Sequence, residues 1–373
     1  MDAFDKLRLL SDASKYDLSC ACGTADADHR TRGNDGAWLY PVSLPSGGQS
    51  IMLKSLISNV CSNDCGYCPY RSALDVPRCS LTPDQMASLF LEYVRVKNVF
   101  GLFLTSGVVG SPDASMRLLN DTAAILRYRH RYRGYIHLKV IPGASTPAIE
   151  EALSLASAVS LNIETPGEKH CARLSRRKNF MRDIIAPLKT IHSLTSRGNR
   201  FSRVKTTTQF IVGASNETDR ELVRYTKGLY DRLGLDRVYF SAYQKGTGDA
   251  GIPGERDSGV SGSMRFIREH RLYQTDFLFR KYGFSSEDIY FDPDGNLSLE
   301  KDPKLVWADN HPEFFPVKFS RADRSDLLRV PGIGPTLTER IVERRREGKL
   351  RSWERLGIRG RRRELVERYA VLG

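Results

Sequence analysis

Apolar and polar positions along the chain follow two periods, and the period switches repeatedly. Short alternating or continuous apolar runs at 51–57 (IMLKSLI), 100–105 (FGLFLT), 135–141 (YIHLKVI), 158–164 (AVSLNIE), 206–212 (TTTQFIV) and 237–243 (RVYFSAY) read as six strands. Each of the first five is followed by a helical stretch. The helix at 82–97 opens on Thr-Pro and the one at 218–233 on Asn-Glu-Thr-Asp, both start signals. Six successive strand–helix units predict an α/β fold with a parallel sheet, either doubly wound or curled into an open partial barrel. Both architectures put function at the C-terminal ends of the strands.

Two regions depart from this rhythm. Residues 1–50 are polar and glycine-bearing and read as an N-terminal extension, and GTGDAGIPGERDSGVSG (246–262) reads as too polar to pack, suited to a mobile loop or lid. A long helix at 264–282, alternating basic and aromatic residues, and a turn region (DPDGNLSLEKDP) complete the extension. The expected organisation is therefore an extension (1–50), a core (51–245), a loop and helical extension (246–320) and a small all-α tail (321–373), with the boundary near Phe319.

Composition narrows the class. A chain of 373 residues with 40% hydrophobic content can bury a sizeable core, which excludes a disordered protein. The net charge of +13 favours a polyanionic partner, and residues 321–373 hold 15 Lys and Arg against 8 Asp and Glu, about half of that excess. A solvated helical surface accounts for such arginine runs equally well. The N-terminus lacks the basic start and apolar run of a signal peptide, and no segment approaches 18 apolar residues, so a cytoplasmic protein with no membrane role is expected. Seven cysteines are too few for a disulfide scaffold, and three of them fall within eight residues.

Those three lie in the loop after the first strand, CSNDCGYCPYR, as Cys61-x3-Cys65-x2-Cys68. Three thiolates cannot close a four-coordinate structural zinc shell, whereas a [4Fe–4S] cluster with three protein ligands keeps one iron open. A zinc site completed by Cys79 or a histidine, or three buried thiols without metal, are the alternatives. On the fourth strand, alternation places Ser160, Asn162 and Glu164 on one face, and His137, Lys139, Gln209 and Tyr243 stand at other strand ends, together enough for a polar pocket. Cys20, Cys22, Cys79 and Cys171 are left over. Cys171, just beyond the fourth strand, and Tyr243 are candidates for a hydrogen donor, with inert burial the ordinary alternative.

CxxxCxxC with an aromatic residue before its last cysteine, in the loop after the first strand of such an array, resembles the radical S-adenosylmethionine superfamily. The resemblance implies a partial (β/α)6 TIM-like barrel, a [4Fe–4S] cluster on Cys61, Cys65 and Cys68, and S-adenosylmethionine chelating the open iron and cleaved to a 5′-deoxyadenosyl radical. It also implies an electron donor such as flavodoxin or ferredoxin. Tyr67 fills the aromatic position. Ser106 and Gly107 take the place of the family's Gly-Gly-Glu-like segment, with Val108 where a carboxylate often stands. Asn162 and Glu164 are expected at the ribose and sulfonium end, and the backbone of Ile211 and Gly213 beside the adenine.

The tail contains LLRVPGIGPTLTERIVERRR, which resembles a helix-hairpin-helix motif with its turn at Pro331-Gly332-Ile333-Gly334. Glycines permit close backbone approach, and N–H groups opening the second helix favour a phosphate oxygen without reading sequence. A second, degenerate copy is expected around Gly357-Ile358-Arg359-Gly360. Arg344, Arg345, Arg346, Arg361, Arg362 and Arg363 adjoin the two turns. A helical hairpin that binds protein is the alternative. Basic segments at 127–133 (RYRHRYR) and 175–179 (SRRKN) complete the set, the latter expected near the mouth of the barrel.

With SDASKYDLSCA, GLFLTSGVVGSPD, GYIHLKVIPGA and REHRLYQTDFLFRKYGF, nearly the whole chain is similar to radical S-adenosylmethionine proteins assigned to DNA modification or repair. Similar proteins accompany a companion related to uracil-DNA glycosylases, which suggests a partner. Radical modification or repair of DNA is the first expectation. An RNA-modifying enzyme of the same chemistry is the second, and a non-catalytic iron–sulfur DNA-binding or sensing protein the third.

Overall fold

The computed structural model describes residues 1–14, 31–33, 36–43, 47–256, 261–348, 350 and 352–373. Cys20 and Cys22 lie outside the described residues. The chain divides into two compact units, one of residues 1–217 and 228–269, the other of residues 218–227 and 270–373.

In the first unit, α1 (Ala3–Ala13), β1 (Thr31–Arg32) and β2 (Trp38–Ser43) precede β3 (Gln49–Leu56). Strands and helices then alternate through α2 (Pro83–Lys97), β4 (Gly101–Thr105), α3 (Pro112–Ala124), β5 (Tyr135–Lys139), α4 (Thr146–Leu155) and β6 (Ala158–Ser160). They continue through α5 (Glu168–Leu174), α6 (Ala186–Thr195), β7 (Lys205–Val212), α7 (Asp219–Leu233, of which residues 219–227 count with the second unit), β8 (Arg237–Ala242), the single turn α8 (Pro253–Arg256) and α9 (Gly262–Lys281, of which residues 270–281 count with the second unit). Helix α2 shows why the signals were readable. Thr82 and Gln85 form a reciprocal capping box with Pro83 in the first turn, and Met86, Phe90 and Tyr93 bury one face until Asn98 ends the helix in the left-handed region.

Strands β3 to β8 are parallel and lie side by side in chain order. A doubly wound sheet reverses its strand order at a switch point; this one does not. Right-handed crossovers that always advance to the next position put every helix on one face, and the sheet curls to bury the other. The result is a partial barrel whose parallel strands run from β3 to β8 without closing.

Three sequence expectations are corrected. Residues 1–50 are not outside the sheet: β1 and β2 extend it antiparallel to β3, and α1, with Leu7 and Leu10 fully buried, sets the hydroxyls of Ser11 and Ser14 against the Lys54 carbonyl. The fourth predicted strand is cut to Ala158–Ser160, because Glu164 adopts φ +65° and only a single bridge to Phe210 resumes the pairing. The glycine-rich stretch does pack over 246–256: Ile252 is buried, and Glu255 accepts from the backbone N–H groups of Gly246 and Gly248.

The second unit continues from the end of α9 through α10 (Pro303–Asp309), β9 (Val317–Lys318), α11 (Arg324–Arg329), α12 (Pro335–Arg346), α13 (Trp353–Leu356), α14 (Gly360–Glu367) and β10 (Ala370–Val371). Its tail is not all-α, since β9 and β10 pair in parallel. A core of Phe319, Leu327, Ile333, Ile341, Trp353, Ile358 and Val366 reaches back to Val317.

Candidate active site

A cavity enclosing about 1240 Å³, counting its open mouth, lies at the C-terminal ends of β3 to β8. Leu56, Thr105, Lys139, Gln209 and Ser241 supply its wall from five strand ends, and Cys61, Cys65 and Cys68 line it from the loop after β3. Tyr67, Ser106, Gly107, Val108, Asn162, Glu164, Lys178, Ile211 and Tyr243 are on the same wall. Residues far apart in sequence thus meet where a parallel array concentrates function.

The cysteine loop is held from two sides. Asp64 accepts from Ser175 Oγ at 2.5 Å and from the backbone N–H of Arg176 at 3.0 Å, while Gly66 N–H donates to the Leu174 carbonyl at 2.6 Å. On the other side the buried Arg71 guanidinium donates to the carbonyls of Cys68, Thr247 and Gly248, and the Gly66 carbonyl accepts from Asp249 N–H. Glycine is required at 66, where a Cβ would lie 2.5 Å from Ile252 Cγ2, and at 107, where it would lie 2.3 Å from the Val60 carbonyl oxygen. The packed stretch 246–256 thereby joins the loop after β8 to the loop after β3 across the open seam.

Each of the three sulfurs has a donor nearby. The backbone N–H of Val108 points at Cys61 Sγ and that of Tyr70 at Cys68 Sγ, both at 3.4 Å, and the Lys178 ammonium couples electrostatically to Cys65. Lys178 also donates to the Tyr67 hydroxyl at 3.2 Å. Burial alone would lower the Lys178 pKa, but Cys65 and Glu164 outweigh it and hold the amine protonated above its usual range. Burial, aided by Glu164, pushes the Tyr67 phenol well up, and burial pushes the Cys68 thiol up to about 12. The free Cys68 thiol is therefore protonated at neutral pH, and a bound metal would displace that proton. Among the described residues, no group of three His, Cys, Asp or Glu side chains closes on a single ion. Cys79 does not join the three, its Sγ facing the Lys6 carbonyl at 3.9 Å.

Two polar atoms on this wall, although buried, have no hydrogen-bond partner among the described residues: Ser106 Oγ and Glu164 Oε2. Burying a carboxylate oxygen unpartnered costs more than a fold tolerates without reason, and Glu164 also carries backbone strain at φ +65°. Both are what a site built for an absent polar ligand leaves behind. Asn162 faces the cavity beside them.

The remaining candidates are distributed unevenly. Ile211 lines the cavity, but its N–H already donates to the Glu164 carbonyl at 2.8 Å. Gly213, at φ +89°, lies off the wall, with its N–H on the Glu217 carboxylate and its carbonyl against Gly254. Cys171 is buried behind the wall, its thiol raised to about 11 by burial, whereas Tyr243 reaches the cavity and donates its hydroxyl to Glu255. His137 bonds Ser160 Oγ at 2.9 Å deeper in the barrel. Sequence reading did not single out Lys178, Asp64 or Arg71. Lys178 sat within a basic run, and nothing in the run marked one residue as turned inward.

In the second unit, Gly332 at φ +83° precedes the buried Ile333, and Gly357 at φ +79° precedes the buried Ile358. The helices that follow, α12 and α14, start at Gly334 and Arg359 without a side-chain cap. Arg345 is turned inward to the carbonyls of Phe319 and Ala322, Arg344 pairs with Glu347, and Arg363 pairs with Glu354 and Glu367. Arg346, Arg361 and Arg362 are exposed and have no partner among the described residues.

A curled parallel half-barrel with three thiols at its rim defines a class of enzyme. Residues 55–227 match the family model described as the Radical SAM superfamily, so the chain carries a radical S-adenosylmethionine domain. Its cofactors are a [4Fe–4S] cluster and S-adenosylmethionine. No curated protein matches the chain. Among solved structures it is similar to methylornithine synthase (PylB), with 14% identity and a TM-score of 0.46 over 60% of this chain and 62% of that one. It is also similar to the FeFe-hydrogenase maturase HydG from Carboxydothermus hydrogenoformans, with 12% identity and a TM-score of 0.48 over 61% of this chain and 52% of that one. Streptococcus suis SuiB gives 13% identity and a TM-score of 0.46, covering 62% and 48%. The chain thus spans less than two thirds of each of these proteins. No helix among the described residues is long and apolar enough to cross a membrane.

Proposed function

We propose that this radical S-adenosylmethionine enzyme modifies or repairs DNA, with the tail acting as a tandem helix-hairpin-helix module that grips the phosphate backbone. The DNA reading is carried by the two matched turns of the second unit. Each has a left-handed glycine, a buried isoleucine that pins the turn, and a helix whose first N–H groups lack a side-chain cap. Such groups suit a phosphate oxygen, and the free Arg361 and Arg362 beside the second turn add charge without base specificity.

Cys61, Cys65 and Cys68 would hold the cluster. The orphaned Ser106 and Glu164, with Asn162, would take the polar groups of S-adenosylmethionine, and the Lys178 ammonium offers a counter-charge to its carboxylate. When bound, these cofactors supply one-electron chemistry that yields a carbon radical. The chain positions and shields: Tyr67, Ile211 and Ile252 form an apolar patch against Leu174 and Tyr243, which limits water at the thiols. The cavity would receive one nucleotide unstacked from its neighbours. The reading brings with it an electron donor of the flavodoxin or ferredoxin kind, a companion related to uracil-DNA glycosylases and a cytoplasmic setting.

The test is anaerobic. Reconstituted enzyme, S-adenosylmethionine and a strong reductant are assayed for 5′-deoxyadenosine with and without damaged or unmodified duplex and single-stranded DNA, with Cys65→Ala as control. Cleavage that rises with DNA supports the reading. Cleavage stimulated only by RNA, or by no nucleic acid, overturns the DNA assignment.

A further inference from the structure

The strap that clamps the cysteine loop carries five cations between positions 173 and 182, and the structure separates them. Arg173 donates to the Ser215 carbonyl, Lys178 turns inward to Tyr67, and Arg182 pairs with Asp183. Arg177 keeps part of its guanidinium free while one nitrogen donates to the Ser62 carbonyl. Arg176 is exposed, and its guanidinium has no partner among the described residues.

The backbone beneath these two arginines is fixed. Asp64 accepts from the N–H groups of Arg176 and Arg177, at 3.0 and 3.4 Å, and from Ser175 Oγ, which in turn accepts from Lys178 N–H at 3.1 Å. Asp64 stands between Asn63 and Cys65, both on the cavity wall, and Lys178 is on that wall too. The strap therefore meets solvent at the edge of the cavity. A surface arginine on a mobile loop loses conformational freedom when it binds; here the backbone part of that cost is already met by the fold. A guanidinium fork held this way matches two phosphate oxygens. The cavity beside it presents the neutral amides of Asn162, Gln209 and Gln244, suited to a base edge rather than a second anion.

From this juxtaposition we infer that Arg176, with Arg177 beside it, is the rim site that holds a phosphodiester next to the nucleotide entering the cavity, fixing the strand against the cysteine loop. The inference rests on the nucleic-acid reading above and adds where the substrate strand is held.

The experiment uses the full, anaerobically reconstituted chain and a short fluorescein-labelled single-stranded oligodeoxynucleotide, read by anisotropy over a series of salt concentrations. Arg176→Ala should weaken binding several-fold and reduce the salt slope by about 0.7, one phosphate contact on a single strand. Arg176→Lys should keep the slope, and Arg176→Glu should weaken binding further. Arg133→Ala, an exposed arginine just before β5 at the opposite ends of the strands, should leave both unchanged. An unchanged slope in Arg176→Ala with normal binding by the unaltered chain overturns the rim site alone. Equal losses in the two alanine variants reduce the effect to bulk charge and overturn it as well. No binding by the unaltered chain, or tighter binding of the matching ribo-oligonucleotide, overturns the DNA reading and this inference with it.

Discussion

The Asp64 carboxylate and the Ser175 hydroxyl, 2.5 Å apart, join the loop that bears the three cysteines to the strap that follows α5. Burial would raise the Asp64 pKa, but the Ser175 hydroxyl and the backbone N–H groups of Arg176 and Arg177 hold it below the usual range. The loop's geometry therefore depends on a residue that touches none of the thiols' own ligand chemistry.

Asp64→Ala should cost about 1–3 kcal/mol of stability by orphaning the strap's donors. It should also lower iron and sulfide retained after reconstitution, and Asp64→Asn should fall between the two. Iron content and visible absorbance at matched protein concentration check this. Full retention in Asp64→Ala would mean that Arg71 and the 246–256 side hold the loop unaided.

Lys178 brings positive charge to Cys65. Charge and hydrogen bonds at cluster sulfurs set reduction potential, so Lys178→Met should move the potential more negative, with Lys178→Arg largely restoring it. An EPR-monitored redox titration decides. No shift would place the ammonium on the S-adenosylmethionine side alone.

Glu164→Gln tests the carboxylate whose Oε2 lacks a partner among the described residues. Losing a hydrogen bond to a charged partner costs about 1.5–3 kcal/mol, so S-adenosylmethionine affinity should fall about 10- to 100-fold, and equilibrium dialysis on the reconstituted protein measures it. Ser106→Ala should cost less. Unchanged affinity in both would show that the two atoms await the substrate.

Gly332→Ala should weaken DNA binding and destabilise the second unit by about 1–2 kcal/mol. The residue holds φ +83°, and a Cβ would sit 3.0 Å from Val366 Cγ2. Thermal melting and anisotropy together check it; a loss of stability without a loss of affinity would remove the first turn from the DNA contact.

Lys304 donates to the Ile333 carbonyl at 2.5 Å inside the first turn, and burial brings its pKa down to about 7. The folded unit therefore binds fewer protons than the unfolded chain between about pH 7 and the ordinary lysine value of 10.5. Stability should rise with pH across that window, by at most about 1.4 kcal/mol per pH unit, and level off below pH 7. Lys304→Met should flatten the rise. Chemical denaturation at several pH values measures it.

The sequence by itself determined the alternation of strands and helices, because period, capping residues and turn residues are local signals: Thr82 and Gln85 can be read without knowing what α2 packs on. It also marked Cys61, Cys65 and Cys68 as candidate ligands, since all three sit within one loop. Tertiary structure alone decided the barrel, because strand order is not encoded in any single strand. It decided where the fourth strand stops: pairing ends at Ser160 and resumes only as a single bridge at Glu164, which takes a left-handed conformation. It also sorted the basic runs, turning Lys178 and Arg345 inward while leaving Arg176, Arg361 and Arg362 in solvent. A charge's partner is chosen by segments distant in sequence, 176 residues away for Arg71 and Thr247, and no local pattern carries that information.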